Sequence, residues 1–82
     1  MENIKIKYLD IENRNGSEDL FKWYKGKNVV GWKEKEGQLL SWSVASLYDE
    51  QQRHLIIPVG LVQENISGKI LVVPTNRITI KN

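Results

Sequence analysis

The sequence predicts a mainly β fold: a small single-domain barrel or roll of about six short, mostly antiparallel strands, with at most one short helix over residues 17–25. Three observations lead to this. Ile4-Lys5-Ile6-Lys7-Tyr8 alternates apolar with charged at the period of a half-buried strand. From residue 28 onward, short apolar runs are separated by polar or turn-forming segments. Finally, 82 residues without a cysteine make one domain, residues 1–82, with one modest core and no disulfide or thiolate–metal reinforcement.

In chain order, the first strand begins at Ile4, and Leu9 and Ile11 shift its apolar positions by one, which predicts a bulge near Tyr8-Leu9. Asn13-Arg14-Asn15-Gly16 is a turn. Ser17 is a candidate helix cap, followed by Glu18 and Asp19, which favour the positive end of the helix dipole. Leu20, Trp23 and Tyr24 then share a face and Gly26 ends the helix. The alternative is a continuous strand through Phe21 and Trp23.

The remaining strands are expected over 28–34, 38–48, 54–63, 69–74 and 77–81. Pro58 lacks an N–H, so its strand lies at an edge there or is bulged. Lys35-Glu36-Gly37 suits a three-residue hairpin loop, with Gly37 as the left-handed residue. That loop sets Trp32 opposite Leu40 and Val30 opposite Trp42 on the more apolar face, and predicts that Trp32 and Trp42 build the core. A shift of one residue reverses the faces.

Twelve basic and ten acidic residues leave a formal charge of +2, too small to demand a polyanionic partner. The charge is unevenly spread. Asp10, Glu12, Glu18 and Asp19 precede a stretch holding Lys22, Lys25, Lys27, Lys33 and Lys35. No basic start followed by a long apolar run appears and no segment approaches a membrane span, so the expected location is the cytoplasm, with no membrane partner.

Recognisable catalytic ingredients are few. His54 is the single histidine, no metal-ligand spacing occurs, and no glycine pattern suits a phosphate cradle. Ser41, Ser43, Ser46, Asp49, Glu50 and His54 contain the residue types of a nucleophile, base and orienter without any supporting motif. The expectation is a binding module without catalysis or cofactor, on an SH3-like or OB-like barrel.

Two partner classes compete. The leading expectation is nucleic-acid binding through Lys22, Trp23, Tyr24, Lys25, Lys27 and Lys33, where an exposed ring stacks a base and lysines hold phosphates. Its bland counterpart is a lid over one barrel end with solvated lysines. The alternative is a protein-interaction domain, such as an inhibitor, adaptor, subunit or homodimer. It rests on apolar residues on both faces of the 54–73 region, where Ile56, Val62, Leu71 and Val73 form one set. Sequestration of a small ligand between sheets or subunits is a third expectation.

Overall fold

A computed structural model describes residues 4–11, 20–26, 29, 31–49 and 51–81. The elements are β1 (Ile4–Asp10), α1 (Leu20–Lys25), β2 (Lys33–Tyr48), β3 (His54–Glu64), β4 (Ile70–Pro74), a 3-10 turn (Thr75–Arg77) and β5 (Ile78–Ile80). All strand pairs are antiparallel in one five-stranded sheet of order β4-β3-β2-β1-β5. The mainly β class and the short helix agree with the sequence, and the described residues hold five strands where about six were expected.

The sheet must curl. β4 and β5 sit at its two outer positions, which a flat sheet separates by at least four inter-strand spacings, about 19 Å. Yet only the turn Thr75–Arg77 joins them, and four residue steps reach about 14 Å at most. Rolling brings the outer strands toward each other and turns one face into the core. That face contributes Ile6, Tyr8, Leu39, Val62 and Val73, and Trp23 of α1 packs into the same cluster with Ile11.

The missing strand is a correction to the hairpin expected around Lys35-Glu36-Gly37. β2 runs without interruption for 16 residues through that stretch. Gly37 lies opposite Ile6 of β1 and Glu64 of β3. A Cβ on Gly37 would come within 2.6 Å of the Gln63 carbonyl oxygen and 2.9 Å of Val62 Cγ1. Glycine stands there because another backbone passes close by, not because the chain turns.

The expected bulge at Tyr8-Leu9 is also absent. β1 pairs regularly with β2 from Ile4 to Asp10, and Ile6, Tyr8 and Asp10 all face inward. The apolar pattern slips because a carboxylate, Asp10, takes an inward position and is held there by Lys35 Nζ at 3.0 Å. The sheet's register shift lies instead between Leu39 and Ser41 on β2.

The tryptophans are arranged almost opposite to expectation. Trp23, expected near the surface, is 1% exposed, and Trp42, expected in the core, is 51% exposed opposite Gly60. Trp32 is half-buried beneath the Arg77 guanidinium, 4.5 Å from its ring centroid. With the 35–37 turn gone, the hairpin pairing that predicted the direction of Trp32 does not exist, and Val30 lies outside the described residues.

Candidate interaction surface

The uneven lengths of the strands create the most distinctive surface. Among the described residues, β1 pairs with β2 as far as Leu39, opposite Ile4, and β4 pairs with β3 from Val59 to Gln63. Residues 44–48 and 54–58 therefore pair only with each other among the described residues and extend from the sheet as a two-stranded arm, with residues 41–43 at its base. Five residues of strand span about 17 Å. The arm is a major part of a molecule whose extents are 40 × 26 × 21 Å.

Cross-strand pairing assigns the arm's faces. Val44 with Pro58, Ser46 with Ile56, and Tyr48 with His54 share one side, continued at the base by Trp42 with Gly60. Val44 is 67% exposed, Ile56 66%, Tyr48 62% and Trp42 51%. This face carries no Lys, Arg, Asp or Glu. The opposite face holds Ile57 and Val59, both buried, so β3 is apolar on both sides as its sequence implied.

Hydrogen bonds among Asp49, Gln51, Gln52 and Arg53 join the two strands at the tip. The Asp49 carboxylate accepts hydrogen bonds from the Gln51 amide at 2.9 Å, the Arg53 amide at 2.8 Å and Arg53 Nε at 2.9 Å. The Arg53 amide, foremost, then the Gln51 amide and the Arg53 side chain hold this carboxyl below the usual aspartate range despite partial desolvation. Gln52 takes a φ of 63° to complete the turn.

Ser46 and His54, two of the candidate catalytic residues, do meet: Ser46 Oγ and His54 Nε2 are hydrogen-bonded across the arm. The His54 ring also lies 5.5 Å from that of Tyr48, centroid to centroid. Asp49 is occupied by the turn, and the pair sits exposed on a strand surface. The arrangement suits a cross-strand contact.

The other site expectations divide. Lys22 and Lys25 are exposed on α1 and Lys33 at the start of β2, whereas Lys27 lies outside the described residues. Trp23 is a correction: its ring is in the core and its Nε1 donates to the Leu9 carbonyl, so no face is open to a base. Tyr24 is half-buried, and Lys25 Nζ lies 5.8 Å from its ring centroid and 5.9 Å from that of Phe21. The helix packs on the core through Leu20 and Trp23.

Of the expected interface set, Ile56 is exposed on the arm, but Val62 and Val73 are fully buried and Leu71 packs against them. These three are corrected to core residues, since curling turns their side of β3 and β4 inward. Trp42, Val44 and Tyr48 were missed. The uncharged run from residue 37 to residue 48 was the available signal, but the assumed turn hid its direction.

A cleft of about 390 Å³, lined by Glu34, Lys35, Glu36, Glu64, Asn65 and Ile66, is an alternative site. Its inner groups satisfy one another. Tyr8 Oη donates to Glu64 Oε2 at 2.9 Å, and Lys35 lies 3.6 Å from Glu64 and 3.0 Å from Asp10. Tyr8 first, then Ser67 and Lys35, hold the Glu64 carboxyl below its ordinary value against the opposing effect of burial. Among the described residues, no group of three His, Asp or Glu side chains is placed to hold a metal, and no helix is long and apolar enough to cross a membrane.

No family model, curated protein or solved structure matches this chain.

Proposed function

We propose that this protein is a small binding module that docks another protein through the β2–β3 arm. The carrying observation is the uncharged face on which Trp42, Val44, Tyr48 and Ile56 are each more than half exposed. Exposed apolar side chains are ordinary when scattered, but here they are neighbours on one ribbon. Tryptophan and tyrosine are also the residue types that most often anchor protein interfaces. The meander from β1 to β4, with β5 beside β1, suits an SH3-like barrel better than the Greek-key order of an OB-fold.

The nucleic-acid reading keeps Lys22, Lys25 and Lys33 but has lost Trp23, its principal stacking ring. Capture from the native cell with wild-type and Val44→Lys/Ile56→Lys baits separates the two. The docking reading expects a protein retained by wild type and lost by the variant, with both baits equally folded. Recovery of salt-labile nucleic acid in equal amount by both baits, with no such protein, overturns it.

A further inference from the structure

Resting on the docking role of the arm, we infer that its partner is a second copy of this chain, joined by antiparallel pairing of the free edges of β2 over residues 41–48.

The edges of the sheet are not alike. β5 is three residues long and followed by Lys81, and β4 is preceded by Lys69 and ends in Pro74. The free stretch of β3 starts beside Arg53 and is interrupted by Pro58, which cannot donate to a ladder. Shortness, lysine and proline are the usual devices that keep an edge from pairing. The β2 edge has none of them: it is regular from Ser41 to Tyr48, and residues 37–48 include no charge and no proline. Among the described residues, no strand occupies this edge.

Neutrality and parity favour a second copy. A charged strand gains no ion pair from this edge, whereas the edge facing itself brings no like charges together. An antiparallel ladder aligns residues whose backbone groups point the same way, so even-numbered residues of one copy must meet even-numbered residues of the other. The apolar face is then continued across the junction. A two-fold centred on Ala45, for instance, sets Trp42 of one copy opposite Tyr48 of the other, and the contact closes on itself.

Sedimentation velocity from micromolar to millimolar protein, with amide hydrogen exchange at both ends of that range, tests this inference. The expected result is a rise from the 9.5 kDa chain to twice that mass, with new exchange protection at alternate residues of 42–48. Val44→Lys should weaken association about tenfold or more by setting like charges near the two-fold, and mixing it with Val44→Glu should restore a mixed dimer. A dimer without new protection over 42–48, or without this charge rescue, overturns the edge pairing. A chain that stays monomeric while the arm variants still lose a different protein overturns the second copy and leaves the docking role standing. A monomer whose arm variants change no protein association overturns both.

Discussion

Trp23 Nε1 donates to the Leu9 carbonyl oxygen at 2.6 Å, tying the helix that closes the core to the strand at its floor. The bond explains how a tryptophan can be buried without leaving its one polar atom unsatisfied. It also makes this ring structural. Trp23→Ala should cost about 3–5 kcal/mol, a large share of what a domain of this size possesses, whereas Trp42→Ser should cost about 1 kcal/mol or less. Urea unfolding of the two variants checks the contrast. Equal losses would contradict the inward and outward placement of the two rings.

Arg77 joins the 3-10 turn to the end of α1. Its Nε donates to the Trp23 carbonyl at 3.0 Å, its Nη2 to the Tyr24 carbonyl at 3.2 Å, and its guanidinium stacks on Trp32. A cation beside the last carbonyls of a helix is favourable, and the planar fork suits both tasks. Gly26, with a φ of 67°, leaves room for it, since a Cβ there would lie 2.2 Å from Arg77 Nη2. Gly26→Ala should therefore lower stability by about 1–3 kcal/mol and displace Arg77. The Trp32 indole resonance, shifted by loss of its stacked cation, reports the displacement.

Gly37 and Gly60 should respond differently to the same substitution. An added Cβ on Gly37 meets the Gln63 carbonyl oxygen, part of a backbone held in the ladder. At Gly60 it meets Ile78 Cδ1 at 2.7 Å and Leu39 Cδ1 at 2.9 Å, the far ends of side chains that can rotate. Gly37→Ala should cost about 2–3 kcal/mol and Gly60→Ala about half as much. Thermal unfolding of both variants gives the order directly, and the reverse order would contradict the close approach at Gly37.

Glu64 makes stability depend on acid. Because its folded pKa is lowered, chiefly by the Tyr8 hydroxyl, its contribution is complete above the ordinary glutamate value and disappears as pH falls through the folded one. Glu64→Gln should flatten the stability profile below about pH 5. Tyr8→Phe should move the Glu64 titration upward, toward its ordinary value, as followed by carboxyl NMR. An unmoved titration would mean that the Tyr8 hydroxyl is not the principal cause.

Local chemistry in the sequence determined the strand-rich class, the helix stop at Gly26 and the breaks expected at residues 64–68 and 74–76. It also placed Pro58 at an edge or a bulge, and among the described residues β3 has no neighbour there beyond β2. Each of these follows from a property that a residue carries with it: period, missing N–H, or tolerance of positive φ. Only the tertiary structure decided whether Lys35-Glu36-Gly37 turns, which way the tryptophans face and which apolar residues of 54–73 are core. Those outcomes depend on β1 and β3 passing either side of Gly37, on Asp10 finding Lys35, and on the three-residue link that forces the sheet to roll. Partners distant in sequence settle them, so the same glycine reads locally as a turn and stands in the fold as the thin point of a continuous strand.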